Sequence, residues 1–296
     1  MQLGAVFPTN EIGNDPIALR DWIQTADGLG YDYVIAYDHV VGAVHAGREP
    51  KLLGPYHETD PFHEPMVLFG WMAGLTTRVQ MITGVMIAPQ RQTVLLAKQA
   101  AEVDVLSGGR LILGLGTGWN HVEYEALGIP FAGRGKRLDE QVEVLRALFR
   151  SPVVDFTGAQ HRIDRAGLLP MPTRDIPLWF GGGTEPSLVR AAHRGDGFLF
   201  GSAGGKVHGQ IRSLHDHLEA VGRAPAGFPT VAIADHAIGP DGWVAERDAW
   251  QALGGTGMAM QTMDIIYRWR GGVPNGFTTP AEHIDALHRF AEVMRS

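Results

Sequence analysis

Apolar residues recur along this chain in two periods that alternate from end to end. Short apolar and β-branched runs come at Leu3 to Phe7, Tyr33 to Tyr37, Val79 to Val85 and Leu111 to Leu115. Further runs lie at Leu178 to Phe180, Gly197 to Phe200, Val231 to Ala234 and Met258 to Gln261. Between them, apolar positions fall three or four residues apart, the spacing of one face of a helix. Runs without polar alternation fit strands covered on both faces, and their alternation with helices is the pattern of parallel βα units. Eight such units close a (β/α)8 TIM barrel. With no Ser/Pro/Gly-rich linker, residues 1–296 read as a single barrel domain.

Helix boundaries carry their own signals. Pro16 opens one helix, whose apolar side is Leu19, Ile23 and Ala26, and Gly28 and Gly30 end it. Leu138, Val142, Leu145 and Leu148 form a second stripe, and Thr279-Pro280 leads into a last one through Ile284, Leu287, Phe290 and Ala291. Ser107-Gly108-Gly109 stops the helix before Leu111, since glycine accepts the positive φ of a helix C-terminus. Trp22, Trp71 and Trp179 fall inside periodic segments and read as core.

Two segments break the rhythm as insertions, one after strand 2 and one before strand 5. His39 to Pro65 is rich in Gly, Pro and His, while Phe149 to Pro177 contains an expected hairpin, VVDFTGAQHRI. The loop that follows a barrel strand lies on the catalytic face, so His39 to Pro65 reads as a wall of the substrate pocket.

Composition narrows the chemistry. Apolar residues at 45% and charged residues at 19% are ordinary for a chain that buries a sizeable core. With 25 basic against 32 acidic side chains the net charge is −7, which argues against nucleic acid or an anionic membrane surface as partner. The absence of cysteine excludes disulfides, thiolate nucleophiles and iron–sulfur clusters, so redox work would need a bound organic cofactor. The start, MQLGAVFPTNEIGND, lacks the pattern of a signal peptide, and the longest apolar run, Met66 to Leu75, is too short to span a bilayer. A cytoplasmic location and a small-molecule substrate are expected.

In a barrel, chemistry gathers just beyond the strands. Asp38 and His39 follow the second strand, and Thr83-Gly84-Val85 and Met86 lie in the third. Gly116-Thr117-Gly118 and Trp119 follow the fourth, and Gly181-Gly182-Gly183-Thr184 the fifth. Asp38-His39 fits an acid/base pair, or equally a buried pair fixing a loop. A glycine inside a β-branched strand, as at Gly84, marks a bulge or a close backbone approach. Two glycine loops that each open a helix fit phosphate cradles, because unpaired N–H groups and the helix N-terminus face the anion. Trp119, directly after the first loop, is placed to stack on a planar ring. Arg134, Lys136 and Arg137 at a helix start read as a solvated face or as reaching a ligand phosphate. His45, His57, His63, Asp60 and Glu64 lack the spacing of metal ligands, so no metal site is assigned. Asp38-His39 together with Asp235-His236 keeps a metal-dependent barrel hydrolase or isomerase as a competing reading.

With these residues in place, the chain resembles the bacterial luciferase-like superfamily of flavin- or deazaflavin-dependent oxidoreductases on a (β/α)8 barrel. The segments that carry the resemblance are AYDH, TGVMIAP, LSGGRLILGLGTGWN with EYEALGIPF and RGKRLDE, PLWFGGGT, and GFTTPAEHIDALHRFAE. They are most similar to the branch that uses coenzyme F420, an 8-hydroxy-5-deazaflavin, while members with the glycine–tryptophan–asparagine segment also use FMN. The resemblance implies hydride transfer between F420 and a small organic substrate, or monooxygenation with reduced FMN. It implies Asp38 near the cofactor, His39 as proton donor, and a non-proline cis peptide at Gly84-Val85, beside Thr83, whose bulge supports the ring. It places the cofactor phosphate side at Gly116, Thr117 and Gly118 and at Gly181, Gly182, Gly183 and Thr184. A homodimer is implied, and for the FMN reading a separate reductase that supplies reduced cofactor. One departure stands out. Where sugar-phosphate-oxidising members carry a second acid/base glutamate this chain has Trp119, and Val122 replaces an asparagine, which implies a different substrate or a non-catalytic cofactor-binding protein.

Overall fold

A computed structural model describes all residues, 1–296. The first half runs β1 (Gln2–Val6), α1 (Pro16–Gly28), β2 (Tyr33–Ala36), α2 (Pro65–Ala73), β3 (Gln80–Thr83), β4 (Met86–Ile87), α3 (Thr93–Ser107) and β5 (Leu111–Gly116). It continues through α4 (His121–Ala126), α5 (Arg134–Arg150), the hairpin β6 (Val154–Thr157) and β7 (Arg162–Ala166), β8 (Leu178–Gly181), α6 (Glu185–Arg194) and β9 (Gly197–Leu199). The chain closes with α7 (Gly205–Ala220), β10 (Thr230–Asp235), α8 (Gly239–Ala252), β11 (Gly257–Gln261), α9 (Asp264–Trp269) and α10 (Pro280–Arg295).

Parallel pairing runs β3-β2-β1-β11-β10-β9-β8-β5, and a further pairing of β3 with β5 closes the ring. This is the eight-stranded TIM barrel that the alternating periods imply. Every strand run read from the sequence is present, with ends shifted by a residue or two. The third run is the exception: the ladder stops at Thr83 and resumes at Met86, with the Gly84-Val85 peptide bond cis between them.

Alternation within the strands sorts their side chains into two cores. Val6, Ile35, Ile82, Ile112, Val231, Ile233 and Ala259 fill the barrel interior, whereas Ala5, Val34, Met81 and Leu113 pack outward against the helices. At the foot of the interior the Tyr33 ring lies where a Cβ on Gly4 would approach its Cε2 to 1.9 Å, so only glycine leaves it room. The helical stripes face inward as their spacing implies: Leu19, Ile23, Ala26, Leu138, Val142, Leu145, Leu287, Phe290 and Ala291 are all buried. Thr279 and Glu282 form a reciprocal capping box on α10, and Gly108 ends α3 at φ 66°. The tryptophans divide. Trp22 and Trp179 are core, but Trp71 is 38% exposed on the outer face of α2, because helical spacing alone does not say which side of a short, almost wholly apolar helix meets the barrel. No helix is long and apolar enough to cross a membrane.

Candidate active site

The mouth is formed by the loops beyond the C-terminal ends of the strands. One side of it is the Gly84-Val85 step. Both residues are half-exposed, whereas Met81 to Thr83 and Met86 to Gln90 on either side are buried, so the chain presents this one peptide to the open barrel end. Three alternating glycines, Gly114 and Gly116 in β5 and Gly118 just beyond it, make that geometry possible. A Cβ on Gly114 would meet the Thr83 carbonyl oxygen at 2.0 Å, one on Gly116 the Val85 Cγ2 at 2.3 Å, and one on Gly118 the Ile87 Cγ2 at 2.8 Å. From the other flank, a Cβ on Gly181 would lie 2.7 Å from Val85 Cγ1. Val85 is therefore wedged between two glycines on neighbouring strands, with Gly84 seated against the Ile35 and Tyr37 side chains.

This packing revises the reading of the first glycine loop. Its glycine spacing is set by close approach to the Thr83–Ile87 segment. The helix beyond it, α4, is a single short turn and a half, its N-terminus already capped by the Asn120 side chain on Val122 N–H, and Tyr124 donates to the Thr117 carbonyl at 2.7 Å. The second loop is different. Gly182, at φ 129°, Gly183 and Thr184 are exposed, and α6 carries no side-chain cap; Pro186 has no N–H and Ser187 N–H bonds the Thr184 carbonyl at 2.9 Å, which leaves the N–H groups of Gly183, Thr184 and Glu185 unpaired at the rim. Because β5 pairs with β8 through Leu115 and Phe180, both glycine loops stand side by side on one rim.

Asp38 and His39 are adjacent in sequence but act apart. Asp38 is buried and accepts from Ile87 N–H at 2.8 Å and from Arg91 Nη2 at 2.6 Å. Arg91 also reaches Glu64 at 3.0 Å; burial opposes its charge, but Asp38 and Glu64 outweigh that and hold the guanidinium above its usual value. Asp38 thus locks the end of β2 to the residues just beyond the cis peptide. It is not the partner of His39, because consecutive residues leaving a strand point to opposite sides.

His39 is held by Glu123 instead. Glu123 is 2% exposed; its Oε2 lies 3.0 Å from His39 Nδ1, and its Oε1 accepts from Val40 N–H at 2.6 Å and Val41 N–H at 3.3 Å. The carboxylate accepts the Nδ1 hydrogen, and Nε2 makes no hydrogen bond within the protein. Tyr56, Phe62 and Trp119 surround the imidazole edge-on at centroid distances of 5.0, 4.7 and 5.5 Å. The His39 to Pro65 loop supplies the first two and closes on the third: a Cβ on Gly54 would strike the Trp119 ring at 2.3 Å.

Glu123 and Arg91 are the side chains that reading from the strand ends misses. Glu123, in the first turn of α4, and Trp119, just before its N-cap, both converge on His39. Arg134 lies over the Phe131 ring and Arg137 donates to the carbonyls of Pro89, Pro130 and Ala132, so both are engaged in shaping the α5 start. His45 bonds the Tyr56 carbonyl and stacks on His57, while Asp235 and His236 face different partners, Gln261 and Asn275. No three His, Asp or Glu side chains stand close enough to hold a metal ion. A surface cleft of about 580 Å³ lies beneath the barrel at Asp32 and Arg247, and one of about 800 Å³ runs between α5 and α6 from Glu185 and Pro186 to Arg194.

Comparison with known proteins bears on the family and the fold. The model of the luciferase-like monooxygenase family matches residues 1–291. An uncharacterised protein of Mycobacterium tuberculosis is 40% identical over 141 residues, so the match spans about half of either chain, 48% of this one and 49% of that one. An F420-dependent glucose-6-phosphate dehydrogenase of Segniliparus rotundus is 27% identical over 252 residues, covering 81% of this chain and 70% of the relative. Among solved structures, a monooxygenase from Streptomyces bottropensis superposes with a TM-score of 0.80 at 19% identity, covering 100% of this chain and 99% of that one, a likeness of fold.

Proposed function

From the premise that the chain belongs to the luciferase-like monooxygenase family, we propose that it is an oxidoreductase that uses coenzyme F420 to exchange a hydride with a small organic substrate at the barrel mouth. The observation that carries the reading is the half-exposed Gly84-Val85 step, wedged by Gly116 and Gly181 and so set beside the uncapped start of α6. The residues present fit a phosphorylated ring cofactor. Val85 would support one face of the ring, and the free N–H groups of Gly183, Thr184 and Glu185 would bind its phosphate. The name of the Segniliparus rotundus relative favours F420 over FMN.

When bound, such a cofactor supplies a two-electron hydride carrier. The protein's own residues do the rest. Glu123 holds the imidazole so that Nε2 faces the substrate, where it takes up or delivers the proton that accompanies hydride movement. Tyr56, Phe62 and Trp119 make the surroundings of the imidazole apolar. With Trp119 packed on Gly54 and His39, no carboxylate occupies the position of the second acid/base in the sugar-phosphate-oxidising members, and a substrate other than a sugar phosphate follows. We also propose a homodimer, for which the exposed Val67 and Trp71 of α2 and Val94 and Leu95 of α3 offer apolar surface. Titration of purified protein with oxidised F420 and with FMN tests the reading. Tight stoichiometric binding of F420 is expected; preference for FMN moves the protein to the monooxygenase reading, and binding of neither refutes both.

A further inference from the structure

From Tyr37, two residues before His39, round to the end of β9, the apolar column inside the barrel ends in a polar band. Tyr37, Asp235 and Gln261 are each the next inward position beyond Ile35, Ile233 and Ala259. Tyr37 Oη donates to Gln261 Oε1 at 3.1 Å, and Gln261 Nε2 donates to Asp235 Oδ1. Arg270, just past α9, reaches the other Asp235 oxygen at 3.5 Å and the Gly201 carbonyl, so the band joins the ends of β2, β9, β10 and β11.

Two arginines at this end of the barrel are held very differently. Arg91 grips Asp38 at 2.6 Å and its side chain is 14% exposed, a fully engaged pair. Arg270 touches Asp235 only at 3.5 Å and is 30% exposed. A charge-assisted contact of full strength is markedly shorter, so the Arg270 fork retains donors for another acceptor. Burial pushes the Asp235 carboxyl above its usual range, against the lowering effect of Gln261 and Arg270. Nothing in the hydride reading above uses these groups.

We propose that this band is the head-group subsite of the substrate: Arg270 takes a carboxylate or similar single anion, while an apolar body lies against Tyr56, Phe62 and Trp119. The proposal rests on the mouth being the reaction site and adds the substrate's chemical class. Tyr56 and Phe62 face both halves of the mouth, since they pack on His39 and on the barrel interior that ends in Tyr37. A molecule spanning the two would place its apolar portion beside His39 Nε2 and its charge at the far side.

Calorimetric titration of cofactor-free protein with 2-naphthoate, 2-naphthol and 2-naphthylmethylammonium tests this, because one ring system then carries a negative, neutral or positive head. Naphthoate is expected to bind most tightly. Arg270→Gln should weaken naphthoate about tenfold or more while leaving naphthol within about twofold. Asp235→Asn removes the competing charge and should tighten naphthoate, an effect that a merely structural strap between loops does not produce. Equal affinity for the three probes, or an Arg270→Gln loss shared equally by naphthoate and naphthol, overturns the proposal. Should Arg270→Gln lose its cooperative melting transition, Asp235→Asn decides alone: tighter naphthoate binding supports the subsite, unchanged or weaker binding overturns it. F420 and FMN titrated into the same samples separate the two readings. Cofactor binding without probe discrimination removes only the subsite, and discrimination without cofactor binding removes only the redox reading.

Discussion

Gly116→Ala is the most telling single change in the barrel. The added Cβ would lie 2.3 Å from Val85 Cγ2 and 3.3 Å from Val85 Cβ. Carbon atoms in contact prefer about 3.5–4.0 Å, so Val85 must retreat by more than about 1 Å. It has nowhere to go, because its other methyl already lies 2.7 Å from where a Cβ on Gly181 would stand. Overpacking of this kind costs about 1–3 kcal/mol. Urea denaturation of wild type, Gly116→Ala, Val85→Ala and the double variant measures it. Removing the Val85 methyl groups should restore most of the loss, giving a coupling of about 1–2 kcal/mol in favour of the double variant. Gly114→Ala is the control: its Cβ meets the Thr83 carbonyl oxygen at 2.0 Å, a backbone atom, and Val85→Ala should not rescue it. Additive effects at Gly116 and Val85 would refute the wedge, and with it the reason for glycine at alternate positions of β5.

Glu123→Gln should lower turnover more than substrate affinity and alter the pH–rate profile, since a neutral amide still fills the site but no longer fixes the His39 Nδ1 hydrogen; ¹⁵N NMR of the imidazole should show mixed tautomers, and an unchanged profile would remove Glu123 from a positioning role. His283 is buried on Thr262, and burial chiefly, with a smaller push from His236, drops its value from 6.5 to about 4 against the raising effect of Asp264 and Glu282. Its neutral form is the folded one, so stability is full above pH 6.5 and falls as pH drops toward 4, by about 3 kcal/mol in all; His283→Gln should flatten that part of the stability curve measured by denaturant titration. Glu140→Ala removes the acceptor of Ala159, Gln160 and His161 N–H, so amides of the β6–β7 hairpin should exchange faster while the barrel strands stay protected. Trp71→Glu with Val67→Lys should convert a sedimenting dimer to monomer without loss of fold; an unchanged sedimentation coefficient would reject that face.

The barrel was legible because its strands announce themselves twice, as apolar runs and as interruptions of helical periodicity. The break in the third strand was legible too, since Gly84 sits among β-branched neighbours that have no use for it. What sequence order hid is which neighbour each site residue chooses. Asp38 and His39 look like a pair on the page, yet leaving a strand they diverge, one to Arg91 and one to Glu123. Gly114, Gly116 and Gly118 look like a phosphate loop, but spacing alone does not separate glycine needed for an anion from glycine needed for a neighbouring strand. The polar band of Tyr37, Asp235, Gln261 and Arg270 joins residues more than two hundred positions apart, and only closure of the β1–β11 seam brings them together.

A crystal structure of the protein soaked with F420 tests the account most directly. The account predicts the ring in van der Waals contact with Val85, its opposite face turned toward His39, and its phosphate on the N–H groups that open α6. Density for the ring in the cleft between α5 and α6, or anywhere that leaves Val85 bare, would contradict it.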